Sequence, residues 1–288
     1  MPYLNEFSPS STPLDMTGSA EFSSLCESAN DLGIQHSDTI RYVSTNVIAR
    51  HQRFHLLEWG DPTLPTLLLL HGGNQSAHSW DLVSLHLADR FHILALDQRG
   101  HGDSDWAPNA EYDRAAYVQD LEQTVNTLGI ETFVLMGLSM GASNSVSYTA
   151  AHPDRVSALV IVDNGPEPSG DGERGVNAFV TQKDVLDTFD EFVERVVEYS
   201  PFRPEWQIRS SLHHSLYQRP DGRWTWKYDP VLRDSTRRAQ REEQKPDPAS
   251  RWELWERKKT PSGTSRSSSL RLSKEAKRTA AAMRAAAS

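Results

Sequence analysis

From Thr39 the chain alternates apolar and polar positions at the period of a half-buried strand. Ile40, Tyr42 and Val47 form one run and Phe54, Leu56, Leu57 and Trp59 a second, closed by Gly60, Asp61 and Pro62. Two antiparallel N-terminal strands are expected there. Three short, almost wholly apolar runs follow, from Thr66 to Leu70, Phe91 to Leu96 and Phe133 to Met136, each leading through a turn into an amphipathic segment of helical length. A strand that is apolar throughout is covered on both faces, and its alternation with helices marks a parallel sheet. The spacing predicts helices over about 78–89, 112–128 and 140–152, and a fourth buried strand from Ala158 to Val162. The fold class expected for 36–163 is therefore α/β, a doubly wound and mostly parallel sheet with functional groups at the C-terminal ends of its strands.

On either side of this core the rhythm is lost. Residues 1–35 are rich in Ser, Pro, Thr and Asn without a period and read as a disordered or loosely docked leader. Residues 164–256 hold a Gly/Pro-rich turn, an amphipathic stretch from Lys183 to Tyr199 and the aromatic run Trp224 to Tyr228. They read as a mostly helical insertion, a lid over the functional edge of the sheet. Trp206, Trp224, Trp226, Trp252 and Trp255 fall within it, suited either to lining a pocket or to packing a small subdomain. Residues 257–288 then turn abruptly to Arg, Ser, Thr and Ala, and only 273–287 keeps helix-forming composition.

Composition narrows the function classes. The 288 residues, 37% hydrophobic, can build one core with an elaborate insertion. Nine Lys/Arg and one Asp/Glu lie from Arg257 onward, leaving 21 basic against 38 acidic residues before it. An acidic body argues against nucleic-acid binding, which needs a basic face, and the short basic tail reads as a solvated segment. Cys26 is the single cysteine, so no internal disulfide framework or Cys-rich zinc site is available. No apolar run approaches a membrane span. A cytoplasmic protein without membrane, metal or cofactor is expected.

The chemistry concentrates at strand ends. Gly137, Leu138, Ser139, Met140 and Gly141 form a G-x-S-x-G pattern between a buried strand and a helix, the context in which glycines permit a strained elbow that exposes the serine hydroxyl. The same residues can form a plain glycine-rich turn. His71, Gly72, Gly73 and Asn74 close the strand ending at Leu70, so amides of Gly73 and Met140 are candidates to receive an oxyanion, at roughly 3 kcal/mol per donor. His71 reads as a buried hydrogen-bonding residue, and the charges between Asp97 and Ser104 as paired with one another. His51 and His55, four apart on strand and turn, do not have the helical spacing a metal pair needs.

The segments HGGNQSAHSW, DQRGHGDSDW and GLSMG, in that order and followed by HPDRVSALVIVD, resemble the α/β-hydrolase superfamily, particularly its esterase and enol-lactonase-like members. The resemblance covers about 39–163 strongly and the insertion loosely. It implies Ser139 as nucleophile, Gly73 and Met140 as oxyanion donors, a small substrate with an ester or other carbonyl group, and an acid and then a histidine toward the C-terminus. The last histidines are His213 and His214, and between Arg257 and Leu272 there is no Asp or Glu. Asp163, at the end of the strand after the elbow helix, is the substitute acid, although it also suits a simple strand cap. The final strands of the sheet are expected to be missing, leaving an edge that favours self-association.

Three readings follow: a weak or inactive ester or lactone hydrolase, a non-catalytic hydrolase-fold binder, and a truncated or frame-shifted product. In the third case the encoding DNA, translated in its other two frames beyond codon 257, should yield an apolar strand, an Asp and a Gly-His pair; finding none of these removes that reading.

Overall fold

The strands form a seven-stranded sheet in the computed structural model, which describes residues 13–37, 39–165, 178–179, 181–234 and 250. They are β1 (Leu14–Asp15), β2 (Tyr42–Ala49), β3 (Gln52–Trp59), β4 (Thr66–Leu70), β5 (His92–Leu96), β6 (Phe133–Leu138) and β7 (Val156–Val162). Their order is β1-β2-β3-β5-β4-β6-β7, with β5, β4, β6 and β7 mutually parallel and β1 to β3 antiparallel. The chain passes from β4 to β5 on one side and returns to β6 on the other. The switch therefore lies between the C-terminal ends of β4 and β6, where such sheets bind ligands.

Five helical segments pack on this sheet: α1 (Ala20–Asp31), a 3-10 turn (Ala77–Trp80), α2 (Asp81–Leu87), α3 (Arg114–Thr127) and α4 (Met140–Ala151). Leu121 and Val125 of α3 and Tyr148 of α4 pack with Phe54, Leu68, Leu94 and Leu135 in the core. Asp113 caps α3 by accepting from the Ala116 amide at 2.8 Å. Gly129, at φ +68°, lets the chain turn out of α3 and return Ile130 N–H to Val125 O. Inside, Arg99 is almost wholly buried and forks onto both oxygens of Asp120, which Arg50 also reaches at 2.9 Å.

One expectation needs correction. Residues 13–35 are not a loose leader. β1 pairs with β2, Ser19 caps α1 through the Phe22 amide, and the Phe22 ring packs 6.2 and 6.4 Å from those of Tyr42 and Trp59, themselves stacked at 3.7 Å. Only Phe22 and Ala29 of α1 are fully buried, too few apolar positions to stand out among its serines. Cys26 lies on this helix.

The insertion holds short strands beside its helices. Among the described residues, those up to 165 together with 227–234 form one compact unit, and 178–179, 181–226 and 250 a second. The second unit carries a three-stranded antiparallel sheet of β8 (Val185–Leu186), β10 (Trp224–Trp226) and β9 (Leu216–Gln218), with helices α5 (Phe189–Tyr199) and α6 (Glu205–Ser215). The stretch read as one helix from Lys183 divides because Thr188 and Glu191 form a capping box, which starts the helix at Phe189 and frees Val185–Leu186 to pair. Trp224 and Trp226 pack on Phe189 and Phe192, serving the core of this unit, while Trp206 is 40% exposed. Trp252, Trp255 and the tail 257–288, with the helix expected at 273–287, lie outside the described residues.

Replacing Phe22 with Ala should lower unfolding stability by about 3 kcal/mol in denaturant titration, the usual cost of deleting a buried phenyl ring. An unattached leader would show no change.

Candidate active site

The elbow begins in β6, whose last paired residues, Gly137 and Leu138, lie against Ile161 and Val162 of β7. Ser139 follows in the left-handed region, at φ 49°, ψ −108°, and α4 starts at the next residue. A non-glycine residue there is strained by about 1–3 kcal/mol, held because its surroundings leave no alternative. The surroundings are visible at the flanking glycines. A Cβ on Gly141 would stand 2.3 Å from Leu70 O and 2.6 Å from His71 O, and one on Gly137 would stand 2.5 Å from Gly141 O and Ser145 Oγ. The elbow is thus pressed against the end of β4. Ser139 is exposed, its hydroxyl makes no capping bond, and its amide donates to Val162 O at 3.0 Å.

The turn after β4 lies beside it. A Cβ on Gly73 would be 3.9 Å from Met140 Cβ, so the two residues named from sequence as anion donors are neighbours. Gly72 N–H is taken by Gln75 Oε1 at 3.0 Å, whereas Gly73 is exposed and its amide has no partner among the described residues. Met140 is the first residue of α4, where amides lack intrahelical acceptors and the helix dipole favours an anion.

His71 is fully buried. Gln98 N–H donates to its Nε2 at 3.0 Å, so the ring proton sits on Nδ1 and is given to Gly72 O at 2.7 Å. Burial pushes the imidazole pKa down, against the pull of Asp97, and the ring is occupied as a neutral crosslink. His101 is also buried, with Nδ1 2.9 Å from Arg99 O. His213 stacks on Phe189 within the second unit. The partners of these rings described above are Gln98, Gly72, Arg99 and Phe189.

Asp163 ends β7 one residue beyond the Leu138–Val162 pair, level with Ser139, and it is exposed with φ 49°. Its neighbour Asn164 donates from Nδ2 to Ser139 O at 2.5 Å and to Ser143 Oγ at 2.7 Å, tying β7 to the elbow. Sequence reading passed over Asn164. The only signal was a short polar residue directly after the strand.

The charges of the loop after β5 pair with groups outside it, Asp97 with His55, Arg99 with Asp120 and Asp103 with Lys227, rather than with one another as the sequence suggested. Asp97 is fully buried and accepts from Ala77 N at 2.6 Å, Asp103 N at 2.9 Å and His55 Nδ1 at 2.8 Å. Burial alone would raise its pKa, but the hydrogen bonds from His55 and the Asp103 amide outweigh it and hold the carboxyl well below the usual range. Lys227 bonds both oxygens of Asp103, Asp229 N–H donates to Gly100 O, and Tyr112 OH donates to Asp229, so residues after Trp226 return to this loop. His55, Asp97 and Asp103 bring ligand-type atoms within 4.8 Å of one another. These bonds already engage all three, so the trio does not offer the open donor set a cation needs.

A family model for the alpha/beta hydrolase fold matches residues 65–227, more than half of the sequence. The chain belongs to the α/β-hydrolase family. Among relatives of this hydrolase-fold protein, esterase Rv0045c of Mycobacterium tuberculosis is 28% identical over 225 residues, covering 75% of this chain and 72% of the relative. Its crystal structure superposes with a TM-score of 0.62 at 26% identity, covering 83% of this chain and 76% of that one. An α/β hydrolase from Novosphingobium aromaticivorans gives a TM-score of 0.66 at 26% identity, covering 76% and 78%. A 2-(acetamidomethylene)succinate hydrolase of Mesorhizobium japonicum is 37% identical over 102 residues, 35% of this chain and 36% of the relative. Among the described residues of this hydrolase-fold chain, no helix is long and apolar enough to cross a membrane.

Two measurements test this construction. Gly141→Ala should cost about 3 kcal/mol or more, since its Cβ meets backbone rather than a movable side chain, whereas Gly129→Ala meets open space and should cost about 1 kcal/mol through its positive φ alone. Asp97 has a depressed pKa, so its stabilising effect is complete at neutral pH and fades as pH falls through the ordinary carboxylate range. The penalty of Asp97→Asn in denaturant unfolding should accordingly be greatest near pH 7 and shrink below about pH 4.

Proposed function

We propose that this chain acts on small ester- or lactone-type substrates through attack of Ser139 on the carbonyl carbon, with the Gly73 and Met140 amides receiving the oxyanion. The observation that carries the reading is the backbone of Ser139: a left-handed residue, exposed and free of capping duty, at the start of α4. A strained serine in that place has no packing purpose, and the two amides needed for a tetrahedral anion lie next to it. Likeness to esterase Rv0045c supports the ester class. Asp163 takes the place of the acid, level with Ser139 on the adjoining strand. Residues 164–256 act as the lid that selects substrate, the protein works in the cytoplasm, and the half-exposed β7 favours self-association.

Turnover by this site is slow. A serine hydroxyl is a poor nucleophile until a base accepts its proton, and losing one triad member typically costs about 10⁴-fold in rate. His71 donates from Nδ1 and accepts at Nε2 elsewhere, and residues 257–288 contribute no histidine. What remains is stabilisation of the anion by amides and of the substrate by binding. The same deficit favours a second reading, a hydrolase-fold protein that binds its ligand without turnover.

The expected result with p-nitrophenyl acetate is slow phenol release that drops to the buffer rate in Ser139→Ala. Equal rates for the two proteins would remove Ser139 as nucleophile. Calorimetric binding of a short-chain ester without product formation would instead select the binding reading.

A further inference from the structure

A second serine in this chain has partners that Ser139 lacks among the described residues. Ser44 Oγ on β2 lies 2.9 Å from His55 Nε2 on β3, and His55 Nδ1 lies 2.8 Å from Asp97 Oδ2 beyond the end of β5. Asp97 settles the direction of these bonds. Buried, and held as a carboxylate by the Ala77 and Asp103 amides, it accepts only, so His55 Nδ1 donates to it and Nε2 is the ring nitrogen that faces the Ser44 hydroxyl. Carboxylate, imidazole and hydroxyl in that order allow a serine to lose its proton as it attacks.

The arrangement is rigid and least buried at Ser44. β2, β3 and β5 are neighbours in the sheet, with Asn46 opposite His55 and Leu56 opposite Leu96, and Asp97 N–H donates to His55 O at 3.0 Å. His55 N–H donates to Ser104 Oγ, which donates in turn to Asp97 O. The burial runs inward along the relay: Ser44 is half-buried, His55 is 5% exposed and Asp97 fully buried. A buried His–Asp pair alone would be a crosslink between strands. The added observation is a hydroxyl on the outer ring nitrogen, carried by a residue that is only half-buried.

We propose that Ser44 is a base-activated nucleophile, an acylation site separate from Ser139 that takes small activated acyl donors such as aryl esters. His55 Nε2 takes the Ser44 proton as Ser44 Oγ bonds to the carbonyl carbon. The tetrahedral intermediate then expels the phenol oxygen, which leaves with that proton, giving an ester on Ser44 and a neutral imidazole. Ser44 stands mid-ladder between Leu14 and Leu57 rather than at the start of a helix, so it has no helix-start amides to hold the anion. The reaction is a single acylation per chain, and it does not depend on the role of Ser139.

The test is p-nitrophenyl acetate added to folded Ser139→Ala protein, with the acetylated residue located by peptide mass spectrometry. Acetyl on Ser44 is expected, and its loss on adding Ser44→Ala. Adding His55→Asn, which keeps a donor toward Asp97 but has no base at the outer position, should slow acetylation by about 10²-fold or more, the usual worth of a positioned base. No acetyl on Ser44 in the folded protein overturns the proposal, as does an unchanged rate in a His55→Asn protein that melts like its parent. Should His55→Asn fail to fold, urea-unfolded Ser139→Ala serves as the reference: folded protein must acetylate Ser44 faster by that same factor, and equal rates overturn the proposal. Acetyl on Ser139 is read on a different peptide of the parent protein, so the two serines succeed or fail independently.

Discussion

The buried carboxylate of Asp97 is the constraint on which the functional edge of the sheet depends. Taking an ion out of water costs several kcal/mol unless every lone pair finds a donor, and here the donors come from three separate segments. Ala77 belongs to the turn after β4 that also presents Gly73, Asp103 to the loop after β5, and His55 to β3. Each segment is positioned by the same charge. Gly102 shows how close the closure is, because a Cβ there would stand 2.3 Å from the carboxylate atoms. The loop can wrap the ion only where a side chain is absent.

The elbow rests on a second close approach. Leu70 O and His71 O end β4 against Gly141, and Gly137 lies against Gly141 and Ser145. With the backbones so near, the chain has one way to leave β6 and enter α4, and it runs through a left-handed Ser139. Asp163 makes the same left-handed turn beyond the strand pair Leu138–Val162, and Asn164 bonds back to Ser139 O. The strain at Ser139 is thus supported from β4 on one side and β7 on the other, while Tyr148 and Val146 anchor α4 in the core. Local backbone strain persists only when so over-determined.

Continuous apolar strands with helical intervals state the α/β core openly in the sequence, because burial on both faces admits few polar residues at β4, β5 and β6. Short segments that depend on a distant partner state nothing. Phe22 is one ring among serines until Tyr42 and Trp59 receive it, and Asp229 is one of many acids until Gly100 O and Tyr112 engage it. The glycines of the elbow were legible because their requirement is local. The His55–Asp97 bond joins residues 42 positions apart on strands whose neighbourhood follows from the sheet order alone, so no spacing rule reveals it. His51 and His55 drew notice for a helical interval that has no meaning on a strand, whereas the meaningful partner of His55 was the acid in the next motif.

On the two proposals, and among the described residues, Ser139 and Ser44 divide between them features that a serine hydrolase gathers in one place. Ser139 has exposure, backbone strain and helix-start amides, the elements that stabilise charge once it has formed. Ser44 has an oriented imidazole backed by a buried anion, the elements that remove the proton before charge forms. Each half lowers a different part of the barrier, and the two are not additive substitutes: amides without a base leave a neutral hydroxyl to attack, and a base without amides leaves the tetrahedral anion to water. Both sites should therefore favour substrates whose leaving group does part of the work, since an activated phenol reduces the demand on base and anion hole alike. On these proposals the geometry of attack lies at one strand end and that of proton transfer at another, and Asp97 bonds toward both, through Ala77 in the segment after β4 and through His55 to Ser44.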